Sequence, residues 1–337
     1  MLRYLRRALF VACTTAAPLL APCAHAGDLL WGLNGHPLVS YPGVTFDQQI
    51  ELVKQLGAKS YRVDVVRLDA MEGLARLVDT AAARGVAVLP VLLPPLDLKS
   101  ESAGDLKRKS AQFAEAFVRR FPQIEVWELG NELENYAILQ PCETMDDGRK
   151  YPCEWGPAGG VTALEYYGPR YAKVAAVLGG LAEGVRAASA TAKRAIGSAG
   201  WGHLGIFERL KQDGIPWEIT VWHWYDGDPE PSFKALAQYG KPIWVTEFNH
   251  SYGSQRDGED GQARGLADKM ALLRKLAPTY GIQAAHVYEL LDETYWAPSF
   301  EAFMGLIRLE RTPDGKGWML GSPKPAFYTY RDAATQK

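Results

Sequence analysis

Apolar runs of strand length alternate along the chain with segments that have the period of amphipathic helices. The runs contain few polar positions, as strands buried on both faces of a parallel sheet do. We count eight pairs of a strand followed by a helix. The predicted strands cover residues 29–34, 60–66, 86–93, 124–132, 193–201, 217–225, 241–249 and 282–290. The predicted helices cover residues 46–56, 70–84, 105–121, 162–188, 204–212, 232–238, 261–276 and 324–333.

This repeated alternation predicts the fold class. Strands joined through helices run parallel with right-handed crossovers, and eight such units close most naturally into a (β/α)8 TIM barrel. We therefore predict an α/β protein with one catalytic barrel domain over residues 27–337. A doubly wound open sheet is the alternative, but no glycine-rich phosphate loop follows the first strand. The active site of a barrel lies at the carboxyl ends of its strands, so residues there are candidates for chemistry.

The N-terminal residues have the pattern of a secretory signal peptide. Three arginines within residues 1–7 precede an apolar stretch over residues 8–20, and Ala24-His25-Ala26 supplies a cleavage signal with small residues. The apolar stretch is shorter than the roughly 20 residues that a membrane span needs. We therefore predict a leader over residues 1–26, a periplasmic or secreted protein, and no membrane association after cleavage.

The net charge of the chain excludes some classes of binding partner. Removal of the leader takes away three arginines and no acidic residue, which changes the formal net charge from −2 to −5. A mildly acidic chain has no basic surface for nucleic acid, and we expect a monomer. The ten tryptophans are many for this length and suit either a sugar-binding cleft or ordinary core packing.

The cysteines predict one disulfide. Cys13 and Cys23 belong to the predicted leader; a lipid anchor on Cys23 is an alternative that the preceding Pro22 disfavours. Cys142 and Cys153 remain as an even pair in an exported protein. They lie in a long polar loop, residues 133–160, with no further cysteine or histidine nearby that would complete a zinc site. Long loops of this kind are usually functional.

Two predicted strands end in glutamates. The stretch 126–132 begins as an apolar run, breaks at Gly130 and ends in Asn131-Glu132. The stretch 241–249 has the same form and delivers Glu247. Strands four and seven of a barrel would bring these two carboxylates to one mouth.

The two stretches resemble known motifs. Trp127-Glu128-Leu129-Gly130-Asn131-Glu132 resembles the acid/base motif of the clan A retaining glycoside hydrolases, and Trp244-Val245-Thr246-Glu247-Phe248 resembles their nucleophile motif. The glutamates of that clan end strands four and seven, as they do in our strand count. The resemblance spans nearly all of the chain after the leader and implies Glu132 as acid/base and Glu247 as nucleophile. It points toward enzymes of xylosides, arabinosides and bacterial exopolysaccharides, and no residue selects one sugar.

A retaining mechanism explains the pair of carboxylates. One carboxylate attacks the anomeric carbon while a carboxylic acid about 5–5.5 Å away protonates the leaving oxygen. We accordingly expect Glu132 to be protonated at rest and Glu247 to be ionised. Each could instead form an ordinary ion pair at the barrel mouth. A bulge at Thr246 could also recess Glu247, in which case Asp292 or Glu293 would act as the distant base of an inverting enzyme.

The resemblance also implies supporting residues. Asn131 would bind the sugar 2-hydroxyl, as the corresponding asparagine of the clan does. His223-Trp224-Tyr225 resembles the clan's His-x-Tyr, in which the tyrosine hydroxyl contacts the nucleophile. His223 and Tyr225 have the same strand parity, so both can point into the barrel.

Arg62 has two possible roles. Its place on strand two resembles that of the clan arginine that holds the nucleophile ionised. It could equally pair with Glu128 or Asp64 inside the barrel.

Aromatic and histidine residues near strand ends are further candidates for substrate binding. Trp201 and Trp296 could form sugar platforms, and Tyr288 or Trp296 would replace the aromatic residue that the clan often has near the end of strand eight. Strand alternation places only one of Tyr288 and Glu289 toward the barrel interior. His36, after strand one, is either a cleft residue or a structural histidine.

The leading hypothesis is a retaining hydrolase that cleaves the glycosidic bonds of a polysaccharide or oligosaccharide. A sugar-binding protein on a degenerate barrel is less compatible with two intact glutamates, and a transglycosidase would use the same residues. No set of His, Asp and Glu has ligand-like spacing, so we expect neither a metal nor a cofactor.

Overall fold

A computed structural model describes residues 29–200 and 202–336. The predicted leader and Trp201 lie outside the described residues. Eight parallel strands form a closed barrel in the order of the sequence, which confirms the (β/α)8 prediction. The barrel strands are β1 Leu30–Gly35, β2 Ser60–Val65, β3 Ala87–Leu92, β4 Val126–Leu129, β5 Lys193–Ser198, β6 Ile219–Trp224, β7 Ile243–Phe248 and β8 Ile282–Val287. The helices are α1 Phe46–Gln55, α2 Met71–Ala82, α3 Ala103–Arg120, α4 Gly168–Ala188, α5 Gly205–Gln212, α6 Glu230–Ala237, α7 Gly258–Tyr280 and α8 Pro325–Thr335.

Helix ends follow from local sequence. Thr45 caps α1 in a capping box: its hydroxyl accepts from the backbone amide of Gln48, and the side-chain oxygen of Gln48 accepts from the backbone amide of Thr45. The prediction that the fourth helix begins at residue 162 was wrong. Pro169 occupies the first turn of α4, where its missing N–H is tolerated, and the helix therefore begins at Gly168. Residues Ala163–Glu165 form a 3₁₀ turn instead. Among the described residues no helix has the length and apolar character that crossing a membrane requires.

The side chains inside the barrel change from apolar to polar along the strands. Ile219 and Val221 of β6 pack with Ala195 in a small apolar cluster inside the barrel. His223 shares their parity but lies closer to the carboxyl end, where its ring contacts polar groups. The carboxyl half of the barrel interior is therefore lined by polar and charged side chains.

The segment after β8 contains a β-hairpin that the sequence did not predict. Its strands are β9 Ile307–Arg311 and β10 Trp318–Pro323, paired antiparallel. The Trp318 amide donates to the Pro42 carbonyl at 2.7 Å, which fixes the hairpin to the loop after β1. At its base Lys324 Nζ lies 2.6 Å from Asp292 Oδ1, and both side chains are buried.

The predicted disulfide between Cys142 and Cys153 is present. It closes part of the loop between β4 and α4. Glu143 next to it accepts hydrogen bonds from Arg170 in the first turn of α4, which fixes the loop to that helix.

Candidate active site

The chain leaves the sheet just before Glu132. Strand β4 ends at Leu129, earlier than the predicted residue 132, because Gly130 adopts a positive φ of 74°. Glu132 itself has φ 47° and ψ 34°, a left-handed conformation that L side chains rarely adopt. Strain of this kind costs on the order of 1–3 kcal/mol and is concentrated at functional sites. The geometry turns the Glu132 carboxylate over the barrel mouth, where its side chain is 30% exposed.

Glu247 lies within β7 and is held by two donors. Its Oε1 accepts from Arg62 Nη1 at 2.8 Å, and its Oε2 accepts from the Tyr225 hydroxyl at 2.7 Å. The pKa of Tyr225 lies well above its usual range, mainly because the side chain is buried and secondly because of the charge of Glu247. The Tyr225 hydroxyl therefore stays a donor. These bonds fix the orientation of a carboxylate that is only 6% exposed.

The β6–β7 register shifts at Thr246. Trp222 pairs with Val245, and the next residue, His223, pairs with Glu247. This is the bulge that could have recessed Glu247. It leaves the carboxylate facing the shared mouth of the barrel: a nitrogen of His223 and one oxygen each of Glu132 and Glu247 lie within 4.8 Å of one another. Nearest oxygens this close are compatible with the separation of about 5–5.5 Å between the carboxyl groups of a retaining pair, and are closer than the roughly 6.5–9.5 Å of an inverting pair.

The pKa shifts of Glu132 and His223 favour a protonation state that differs from the predicted one. His223 Nδ1 lies 2.7 Å from Glu132 Oε1. Burial would raise the pKa of Glu132, but the hydrogen bond and the charge of His223 outweigh burial and lower it. Burial likewise opposes a charged His223, but Glu247 and the hydrogen bond to Glu132 raise its pKa. These pKa directions oppose the expectation of a protonated Glu132 at rest and favour a Glu132 carboxylate beside a His223 imidazolium.

Arg62 contacts both Glu247 and Glu128, the partners that its two possible roles predicted. Its Nε and Nη2 donate to the two oxygens of Glu128 at 2.8 and 2.7 Å, while Nη1 donates to Glu247. The remaining donors reach the side-chain oxygens of Asn34 and Asn131 at 2.8 and 2.7 Å. All five N–H groups of this buried guanidinium are thus satisfied. Burial opposes the charged form, but Glu128 and then Glu247 outweigh it and raise the pKa of Arg62.

Asp64 is not a partner of Arg62 and contacts His36 instead. His36 Nδ1 lies 2.9 Å from Asp64 Oδ2. His36 also lines the cavity at the barrel mouth, so it is both a cleft residue and a hydrogen-bonded one.

The cavity at this mouth has a volume of about 340 Å³, within the size range of small-ligand sites. The structure brings most of the predicted site residues into its lining. These are His36, Arg62, Asn131, Glu132, Tyr225, Glu247 and Tyr288. His223 lies beneath the two glutamates. The disulfide-closed loop contributes no residue to the lining of this cavity, although it follows β4.

Of the two aromatic residues predicted near the end of strand eight, Tyr288 and Trp296, one lines the cavity and the other does not. Strand β8 ends at Val287, and a cis peptide bond joins Tyr288 to Glu289. Tyr288 lines the cavity and Glu289 is fully buried outside that lining, so only one of them faces the mouth. Trp296 is 55% exposed and is not part of the lining, so no contact places it at the sugar site.

The cavity also contains residues that the sequence analysis missed. They are Asp64, Gly200, Asp226, Ser251, Tyr252, Phe300, Glu301 and Met304. Tyr252 and Phe300 form an edge-to-face pair with ring centroids 5.4 Å apart, and both are partly exposed. Their signal in the sequence is an aromatic residue in each loop after a late strand, which is weak evidence without the fold.

Comparisons with known proteins agree on the fold. No family model matches the chain, and no curated protein matches it in sequence. A family 39 glycoside hydrolase from the gut symbiont Bacteroides cellulosilyticus WH2 superposes with a TM-score of 0.63 at 16% identity over 92% of this chain. This chain spans 64% of that enzyme's length.

Two further solved structures cover almost the whole of both chains. A β-glucosidase from Thermotoga maritima has a TM-score of 0.66 at 12% identity, over 92% of this chain and 99% of its own. The GH53 catalytic domain from Ignisphaera aggregans has a TM-score of 0.61 at 15% identity, over 92% and 97%. At such low identity these likenesses establish the barrel fold, and the chemistry has to be argued from the site.

Proposed function

We propose that this protein is a retaining glycoside hydrolase acting on a polysaccharide or oligosaccharide. The observation that carries the proposal is the spacing of Glu132 and Glu247, whose nearest oxygens lie within 4.8 Å across the barrel mouth. A rim salt bridge does not explain the arrangement, because the Glu132 backbone is strained and both oxygens of Glu247 are held in place. That the solved structures resembling this barrel include glycoside hydrolases adds support.

Glu247 acts as the nucleophile. Its carboxylate attacks the anomeric carbon, and the bond to the leaving oxygen breaks as a glycosyl ester forms. Arg62 and Tyr225 orient the carboxylate through hydrogen bonds to its two oxygens. Asn131 accepts from Arg62 through its oxygen, which leaves the amide nitrogen to donate to a sugar hydroxyl.

Glu132 transfers the protons. The proton shared with His223 reaches the leaving oxygen through Glu132 in the first step. In the second step Glu132 takes a proton from water as the water oxygen attacks the ester, and the pair returns to its original protonation state.

The substrate is proposed as an exported glycan, such as a bacterial exopolysaccharide. The disulfide supports a periplasmic or extracellular location, since such bonds persist in oxidising compartments. The Tyr252–Phe300 pair offers apolar ring faces beside the catalytic carboxylates, where a sugar ring can stack.

A glycan panel that includes exopolysaccharides, with proton NMR of the first-formed product, tests the proposal. We expect release of a sugar with retained anomeric configuration by the wild-type protein and none by Glu247→Gln, which controls for contaminating enzymes. Inversion, or equal turnover by the variant, contradicts the proposal. Transfer to an added sugar acceptor with no release into water would assign a transglycosidase instead.

A further inference from the structure

A second cluster of ionisable groups lies beside the cavity. His36 follows directly on β1, and Glu289 and Glu293 lie in the segment after β8. His36 Nε2 is 3.5 Å from Glu289 Oε2 and 3.9 Å from Glu293 Oε1. One nitrogen and one oxygen from each glutamate lie within 4.8 Å of one another.

The charges of this cluster are unbalanced. Glu289 is 0% exposed and Glu293 is 4% exposed. Within the described residues, His36 is the one side chain able to become cationic at ion-pair distance from either carboxylate. The hydroxyl groups near them are neutral: Tyr41 donates to Glu289 Oε2 at 3.0 Å, Tyr288 donates to Glu293 Oε2 at 3.3 Å, and Tyr295 donates to Glu293 Oε1. Buried carboxylates are costly unless they are paired or bind a metal.

Two buried atoms of the cluster have unused bonding capacity. Neither His36 Nε2 nor Glu289 Oε1 has a hydrogen-bond partner in the part of the chain that the structure describes. Buried polar atoms are nearly always satisfied, so such atoms call for an explanation. Here the unpartnered His36 Nε2 lies 3.5 Å from the second oxygen of Glu289, Oε2.

The surroundings of His36 are those of a metal ligand. His36 Nδ1 lies 2.9 Å from Asp64 Oδ2, so a neutral imidazole that donates its Nδ1 proton to Asp64 would present the lone pair of Nε2 to the glutamates. A carboxylate that orients a histidine in this way is the common arrangement behind metal-bound imidazoles. The tyrosine hydroxyls orient Glu289 and Glu293 in the same manner.

The catalytic cluster is a poorer candidate for a metal, although its atoms are equally close. Both nitrogens of His223 are engaged, Nδ1 with Glu132 and Nε2 with Thr246 Oγ1 at 3.2 Å.

We propose that His36 Nε2, Glu289 and Glu293 bind one divalent transition-metal ion of the Zn²⁺ or Mn²⁺ class. An imidazole with two carboxylates suits these ions better than Ca²⁺ or Mg²⁺, which prefer oxygen ligands alone. Ligands at about 2.0–2.2 Å from a tetrahedral ion lie roughly 3.3–3.6 Å apart, close to the separations of 3.5 and 3.9 Å seen here.

The ion would join β1 to the segment after β8. It would neutralise the buried carboxylates and hold Glu293, whose partner Tyr288 lines the cavity. Its role is therefore structural support of the cavity wall. This inference is independent of the proposed hydrolase activity.

Metal binding is tested on untagged full-length protein that has been dialysed against a chelator. Calorimetric titration with ZnCl₂ and MnCl₂ should show one site per chain, and the melting temperature should rise with metal concentration. Glu293→Gln should weaken binding at least tenfold. The matched control is Glu247→Gln, which alters the catalytic cluster and should bind the metal as the wild type does.

The outcomes separate the alternatives. No heat and no rise in melting temperature for the wild type would mean that the carboxylates are neutralised by protons and would overturn the proposal. Loss of binding in Glu247→Gln with retention in Glu293→Gln would place the metal at the catalytic pair and also overturn it. Binding of CaCl₂ but not ZnCl₂ or MnCl₂ would overturn the assigned class of ion. The titration of the wild-type protein tests the proposal without any variant. A variant that fails to fold therefore does not prevent the test.

Discussion

His223 Nδ1 lies 2.7 Å from Glu132 Oε1, and the same nitrogen lies 3.4 Å from Glu247 Oε2. One imidazole thus joins the two carboxylates that the proposed mechanism uses. The raised pKa of His223 and the lowered pKa of Glu132 favour a proton on the imidazole, next to the carboxylate that the proposed mechanism uses to protonate the leaving group.

Glu132→Ala should slow the enzyme most on substrates with poor leaving groups. An activated aryl glycoside needs little protonation, so its first step should be nearly unaffected, and azide should restore rate by replacing water at the vacated site. Steady-state kinetics on a series of aryl glycosides measures this. Equal losses across the series would argue against the acid/base role.

Glu247→Gln should abolish turnover, by about 10⁴-fold or more in kcat, while the fold and sugar binding persist. The amide is nearly the same size as the carboxylate but cannot form the glycosyl ester. Calorimetry with an oligosaccharide identified as a substrate would measure the binding that remains. If the variant retains more than a few per cent of activity, another residue is the nucleophile.

Arg62→Lys should lower kcat/KM by about 10²-fold or more. Lysine keeps the charge but has three donors in place of five, so it cannot hold Glu128 and Glu247 together. The loss of a buried partner should also lower the free energy of unfolding by about 1–3 kcal/mol.

Arg67→Lys is the matched control for that variant, because the Arg67 side chain is 68% exposed and pairs only with Asp69 among the described residues. It should change neither kinetics nor stability measurably. An Arg62→Lys variant that loses stability but keeps wild-type kinetics would limit Arg62 to a structural role.

The free energy of unfolding should fall as the pH drops from about 6.5 toward 3. Burial is the main cause, and the charge of Arg62 the second, that lowers the pKa of His286 to about 3 from its ordinary value of 6.5. Between these values the unfolded chain binds a proton that the folded one does not, so acid favours unfolding by about 1.4 kcal/mol per pH unit. His286→Gln should have a correspondingly flatter dependence of unfolding free energy on pH in that window. A variant as steep as the wild type would refute the assignment.

Replacement of Cys142 and Cys153 by serine should lower the free energy of unfolding by about 2–3 kcal/mol, as expected for a loop this short. Activity per folded molecule should be unchanged, because the loop contributes no residue to the cavity lining. Urea unfolding measures the loss of stability, an activity assay corrected for the folded fraction measures turnover, and mass spectrometry of a non-reduced digest of the wild type checks the bond. A free thiol in protein from the periplasm would contradict the predicted bond.

The site was predicted in part. Glu132 and Glu247 could be identified because each ends a short apolar run that marks a buried strand. The backbone at Glu132 could not, because its left-handed conformation depends on how residues 130–133 pack. The protonation of Glu132 was missed for a similar reason: the distance to His223 is set across the barrel and has no signature in either local sequence.

By itself the sequence determined the eight strand–helix units, the barrel class, the glutamate pair and the cysteine pair. These features are encoded within short stretches, through hydrophobic period, helix caps and the spacing of a few residues. Only the tertiary structure decided the contacts between distant residues, such as Arg62 with Glu247, which are 185 positions apart, and His36 with Glu289 and Glu293. Closing the barrel brings β1 beside β8, and that closure, rather than any local pattern, creates the charged cluster and the cavity beside it.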